Sequence, residues 1–71
     1  MKELQLHYQG RDDWDRPVYE ADGRLYVDTD PRSGRSPRIC TKLNNEFCGE
    51  PDIPISDDIE IEFIPHRDIW Y

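Results

Sequence analysis

Four side chains of this 71-residue chain are of types that bind zinc: Cys40, Cys48, His7 and His66. Cysteine-based zinc sites usually contain two cysteines only two to four residues apart, whereas seven residues separate these two. A disulfide between them is disfavoured in a reducing compartment. We therefore expect free thiols, one or both partly buried, and predict neither a metal nor another cofactor. A minimal metal or thiol site built from the four side chains is a lower-ranked alternative.

Carboxylates are abundant, with 16 Asp and Glu residues against nine Lys and Arg. General acid–base catalysis by a carboxylate pair needs a cleft that raises one pKa, and so short a chain offers little room for one. Asp28-Thr29-Asp30 resembles the start of a calcium loop but lacks the glycine at the sixth position and the glutamate at the twelfth. No nucleophile elbow or phosphate-binding glycine loop is present in the sequence. The sequence therefore predicts no catalytic residues and no enzyme.

Aromatic residues are the remaining candidates for function. Trp14 stands beside Asp15 and Arg16, and the C-terminus ends in Trp70 and Tyr71. Because a small core needs its large side chains, Trp14 is expected to fill the core. If it is exposed instead, these five residues are the candidates for a partner-binding patch.

The net charge of -7 limits the possible partners. A general nucleic-acid binder or a protein of anionic membrane surfaces would present a basic face, so direct binding to either is not expected. A basic protein partner is compatible with the charge. The N-terminus shows no signal peptide and no segment approaches the ~20 apolar residues of a membrane span, so a cytoplasmic protein is expected. Homo-oligomerisation would supplement a small core.

A hairpin is predicted at the centre of the chain. Residues 17–20 and 24–28 are rich in aromatic and β-branched side chains and flank Ala21-Asp22-Gly23. A three-residue loop predicts a type I turn followed by Gly23 at positive φ, with Glu20 and Arg24 paired across the strands. The side chains expected to face inward are Val18, Leu25 and Val27, while Tyr19 and Tyr26 are expected on the other face or its rim.

Alternating or β-branched patterns predict further strands at residues 2–8, 39–43 and 58–64, and turns at 9–13 and 44–45. Phe47 is expected to anchor the core. Prolines hold residues 49–55 extended. Residues 29–38 form a loop rich in Pro, Gly, Ser and Arg, either simply exposed or a contact loop for an acidic surface or a phosphate.

The predicted fold is a single small domain, residues 1–71, that is mostly β. Four to five short strands around the central hairpin form a small antiparallel sheet or partly open barrel with little or no helix. The aromatic tail either folds back on the core or offers a binding patch.

Five motifs follow one another along the chain: Trp14 to Tyr19, Gly23 to Tyr26 with Asp28, Phe47, Gly49 to Asp52, and Pro54-Ile55. In this order they resemble the large polyvalent protein-associated domains of phages and conjugative elements. The resemblance covers about residues 8–55 and leaves out the strand and tail of residues 56–71; Cys48 stands where the family would have a more polar residue. It implies an accessory domain of mobile genetic elements and transfers no catalytic residue.

Two functions rank above the minimal metal or thiol site. The first is a non-enzymatic protein-interaction or accessory domain that uses the aromatic residues. The alternative is an acidic nucleic-acid mimic or anti-defence protein that fills a basic groove with its carboxylates; it requires acidic side chains clustered on one face.

Overall fold

The computed structural model describes residues 2–56 and 58–70, and its main feature is one six-stranded sheet. The strands are β1 (Lys2–Arg11), β2 (Pro17–Ala21), β3 (Arg24–Asp28), β4 (Ile39–Lys42), β5 (Pro51–Pro54) and β6 (Ile59–Ile64). A 3₁₀ turn, Leu43–Asn45, follows β4 and contains Asn44 and Asn45, which both have positive φ and were predicted to turn the chain. The prediction of a small, mostly β sheet with little or no helix is confirmed.

The sheet is mixed and has more strands than the four to five predicted. Its order is β5-β4-β3-β2-β1-β6, and β6 pairs with β1 in parallel. The expectation of a purely antiparallel sheet is therefore wrong at this edge. The additional strand is β5, because the proline-rich segment forms a bridge from Pro54 to Cys40 and another from Pro51 to Lys42.

The connection from β5 to β6 requires the sheet to curve. The two strands lie at opposite edges, yet only residues 55–58 separate them. Six strands about 4.8 Å apart would place the outer two about 24 Å from each other in a flat sheet. The chain from Pro54 to Ile59 can extend to at most about 18 Å. The sheet therefore curls, and residues of β4, β5 and β6 line one groove of about 530 Å³.

The central hairpin turns more tightly than predicted. Ala21 pairs with Arg24, so the loop contains only Asp22 and Gly23. Both have positive φ, 52° and 80°, as a type I′ turn requires. The expected three-residue loop is wrong, and so is the Glu20–Arg24 pair, because Glu20 faces Leu25 instead.

Strand β1 is longer than its alternating segment. It continues through residues 9–11, where a turn was expected, and an irregularity between Tyr8 and Gly10 shifts its register against β2. Gly10 has a φ of 125°, and the ring of Phe47 lies 3.8 Å from where a Cβ would stand. Phe47 itself is 37% exposed, so it covers this glycine rather than anchoring the core.

The main core lies on the face of Tyr19, not on the face of Val18. Tyr19 is the largest fully buried side chain and clusters with Leu6, Ala21 and Ile39. Its ring centroid is 5.0 Å from that of Phe63 on β6. The register places Val18 and Val27 opposite each other on the other face, where both are also fully buried. The expectation that Tyr19 covers an outer face is wrong because the central strands are buried on both sides.

Candidate interaction surface

The loop between β1 and β2, residues 12–16, is organised by the buried carboxylate of Asp12. One of its oxygens accepts hydrogen bonds from the backbone N–H groups of Trp14, at 2.9 Å, and Arg16, at 3.0 Å. The Asp12 amide donates to the Arg16 carbonyl at 3.1 Å, and Asp15 adopts a positive φ of 60°. The loop is thus folded around one side chain, as in an Asx turn.

The charge of Asp12 is balanced mainly by Lys42 of β4, and Arg16 adds a longer ion pair at 3.6 Å. The lysine ammonium lies 2.5 Å from the second carboxylate oxygen and also donates to the Gly49 carbonyl at 2.9 Å. Both charged side chains are completely buried. Burial raises the pKa of Asp12, but the bonds from Lys42 and from the amides of Arg16 and Trp14 outweigh it, so the pKa is lowered. A buried pair of this kind fixes the loop against the sheet because neither charge tolerates losing its partner.

Trp14 points away from the core. Its backbone amide is directed inward to Asp12, and its side chain is 49% exposed. The guanidinium carbon of Arg16 stands 4.9 Å from the centre of the indole ring, which is a cation–π contact. The interpretation of Trp14 as a core-filling residue is therefore wrong.

The C-terminal tail folds back onto this loop. The Trp70 amide donates to the Pro31 carbonyl, and its indole N–H donates to the Asp15 carbonyl, each at 2.7 Å. Trp70 remains 37% exposed. The structure thus brings Trp14, Asp15 and Arg16 together with Trp70, and we call these four residues the Trp surface. Tyr71, the fifth residue of the predicted patch, lies outside the described residues.

Asp68 attaches the tail to β1. Its carboxylate accepts two hydrogen bonds from Arg11, at 2.7 and 3.0 Å, and one from the Tyr8 hydroxyl at 2.6 Å. Its amide donates to the hydroxyl of the buried Tyr19 at 3.0 Å. The bonds from Arg11 lower the pKa of Asp68 to about 2, against the opposing effect of burial. The hydrogen bond to Asp68 raises the pKa of Tyr8, and burial raises that of Tyr19 to about 12.

Arg67 attaches the tail to the 29–38 loop. Its Nε donates to the fully buried carboxylate of Asp28 at 3.1 Å, and its other nitrogens donate to the carbonyls of Arg35 and Asp30. The second Asp28 oxygen accepts from the amides of Asp30 and Arg38. Asp28 therefore organises the 29–38 loop in the same way that Asp12 organises the 12–16 loop. The carboxylate of Asp28, the first residue of the calcium-loop-like Asp28-Thr29-Asp30, accepts its hydrogen bonds from the protein itself.

The cysteines and histidines do not assemble. Cys40 is half-buried, Cys48 is exposed, and both are free thiols, while His7 and His66 are exposed. Among residues 2–56 and 58–70, no group of three or more His, Cys, Asp or Glu side chains is placed to hold a metal ion. The low-ranked zinc arrangement thus gains no support from the described geometry.

No protein-family model, curated protein or solved structure matches this chain. Residues 2–56 and 58–70 contain no helix that is long and apolar enough to cross a membrane.

Proposed function

We propose that the protein is a non-enzymatic protein-interaction domain and that the Trp surface is its contact site. The observation that carries the proposal is the hydrogen bond from the Trp70 indole to the Asp15 carbonyl. This bond joins two segments of the chain, each of which carries a partly exposed tryptophan. The two bonded residues are 55 positions apart in the sequence. Tryptophan and arginine are the residues that most often dominate binding energy at protein interfaces.

The setting of the Trp surface suits a contact site. The loop is held by the buried Asp12–Lys42 pair and the tail by Asp68 and Arg67, so the exposed rings sit on anchored backbone. A surface that is already ordered loses little conformational entropy when a partner binds. The Arg16 guanidinium stacks on Trp14 and faces the buried Asp12 carboxylate at 3.6 Å, so its charge is already paired within the chain. The Trp surface therefore favours a partner that contributes mainly apolar side chains.

The proposal is tested by capturing partners from a lysate of the source organism, with nuclease added, at low and high salt. The test variant is Trp14→Ser, and the matched control is Leu43→Ser, since Leu43 is 45% exposed and lies on the 3₁₀ turn. We expect a partner that survives high salt, because screening weakens only the charge contacts, and that is lost with Trp14→Ser alone. Equal capture by both variants would contradict the proposal.

A second candidate function is the acidic nucleic-acid mimic, and one observation favours it. Glu3 of β1 lies opposite Glu60 of β6, and Glu62 follows on the same face; all three are exposed. Such a row would fit a basic groove. In the same capture experiment this function predicts a partner that is lost at modest salt and is indifferent to Trp14→Ser.

We further propose a cytoplasmic location, because cysteines stay reduced in the cytoplasm and both Cys40 and Cys48 are free thiols. An accessory role in mobile genetic elements rests on the sequence resemblance over residues 8–55. Homo-oligomerisation is proposed from the small size of the core, and sedimentation of the purified chain over a concentration series tests it.

A further inference from the structure

The outer edge of β6 differs from the other edge of the sheet. Strand β5 has only four residues and begins and ends with Pro51 and Pro54, whose nitrogens carry no hydrogen to donate. Strand β6 has six residues without a proline, and within the described chain β1 is its sole partner. Part of its backbone N–H and C=O groups therefore faces outward without a strand to pair with.

The side chains of β6 form two rows of opposite character. Ile59, Ile61 and Phe63 are half-buried on the core side, and the first two line the groove of about 530 Å³. Glu60 and Glu62 are exposed on the other side. An added strand would thus meet apolar side chains at every second residue and carboxylates at the residues between them.

These features point to one occupant. We propose that the outer edge of β6 binds an extended segment of a partner protein in which apolar residues alternate with Lys or Arg. The segment would add a seventh strand, place its apolar residues over the groove and pair its basic residues with Glu60 and Glu62. The proposal concerns an edge of the sheet and does not depend on the Trp surface.

A second copy of this chain does not fit the same edge. Two β6 strands that pair with their apolar rows on one side bring Glu60 and Glu62 against the same residues of the other copy. Like charges directly opposite each other disfavour such a pair. The glutamates therefore disfavour pairing between two β6 strands and favour pairing with a basic strand; an oligomer formed through another surface is unaffected.

The test uses a synthetic eight-residue peptide of alternating valine and lysine, capped at both ends, titrated into the 15N-labelled full chain at low salt. We expect amide chemical-shift changes concentrated in Ile59–Ile64. Two control peptides separate the contributions: one has glutamate in place of lysine, and one is N-methylated at every residue and so has no N–H donors. Neither control is expected to bind.

A charge-reversed protein completes the test. The double variant Glu60→Lys with Glu62→Lys should bind the lysine peptide at least about tenfold more weakly and should gain binding of the glutamate peptide. The matched control is Glu46→Lys with Glu50→Lys, which changes the net charge equally at two exposed residues outside β6 and should bind as the wild type does. Well-dispersed spectra of both variants verify that they fold.

Three results would overturn the proposal. They are an absence of binding by the lysine peptide, shift changes centred outside β6, and equal binding of the N-methylated peptide. The last result would show that the groove takes side chains or small molecules without strand pairing.

Discussion

Replacing Asp68 by Asn tests whether the tail is part of the folded unit. The neighbouring Arg11 and Tyr8 shift the pKa of Asp68 from its ordinary value of 3.8 to about 2. At about 1.4 kcal/mol for each pKa unit, the ionised carboxylate stabilises the fold by about 2 kcal/mol. The carboxylate lies near the surface and the side chain is 20% exposed, so solvent screening reduces this contribution to about 1–2 kcal/mol. A domain of this size has only ~3–5 kcal/mol in total, so the loss is large.

The pH dependence gives the prediction its sign. The pKa is lower in the folded state than in the unfolded chain, so the contribution is complete above about pH 4 and disappears as the pH falls from about 4 to 2. Asp68→Asn should therefore be less stable than the wild type by about 1–2 kcal/mol at pH 7, because asparagine keeps one acceptor oxygen but no charge. The two proteins should converge near pH 2.

Urea denaturation followed by tryptophan fluorescence measures the free energy of unfolding of both proteins, and its dependence on pH, between pH 2 and 7. The control is Asp52→Asn, which changes an exposed carboxylate on β5 and should leave the free energy of unfolding within about 0.5 kcal/mol of the wild type. The reasoning is refuted if Asp68→Asn behaves as the control does, or if its deficit at pH 7 persists undiminished at pH 2.

Three further substitutions test other parts of the structure. Lys42→Met removes the nearer of the two cations of the buried Asp12 carboxylate and leaves only Arg16, at 3.6 Å. Urea denaturation should show a loss of about 3 kcal/mol, and a loss below 1 kcal/mol would contradict this. In Gly23→Ala the new Cβ has no atom within 4 Å, but the backbone φ of 80° is strained for alanine. Urea denaturation should therefore show that the free energy of unfolding falls by about 1 kcal/mol, and a gain in stability would contradict the turn assignment. Arg67→Gln leaves Asp28 without its cation and should speed amide hydrogen exchange at Trp70; unchanged exchange would show that Arg67 does not hold the tail.

Local patterns predicted the strands, because alternation with a period of two persists wherever one face of a strand is buried. The Ile59–Ile64 strand is the clearest case. The same patterns did not determine where β1 ends, since a glycine marks either a turn or a bulge and only the pairing of Gly10 with Val18 decides between them. Hairpin loop length likewise depended on whether Ala21 pairs with Arg24.

The anchors of the Trp surface could not be predicted, because their partners are far apart in the chain. Lys42 is 30 residues from Asp12, and Asp68 is 57 residues from Arg11. No local pattern marks one carboxylate among 16 as buried. The aromatic tail was a usable signal, since a Trp near a terminus either folds back or binds a partner, and Trp70 folds back while staying partly exposed.

The central claim, that the Trp surface contacts a partner protein, is tested most directly by photo-crosslinking in the source organism. Benzoylphenylalanine is placed at Asp13, which is exposed beside Trp14, or at Arg24, which is exposed at the far end of the hairpin. We predict a discrete crosslinked protein from position 13, absent from position 24 and lost when Trp14→Ser is added. Adducts from position 24 alone, or adducts from position 13 that persist with Trp14→Ser, would contradict the claim.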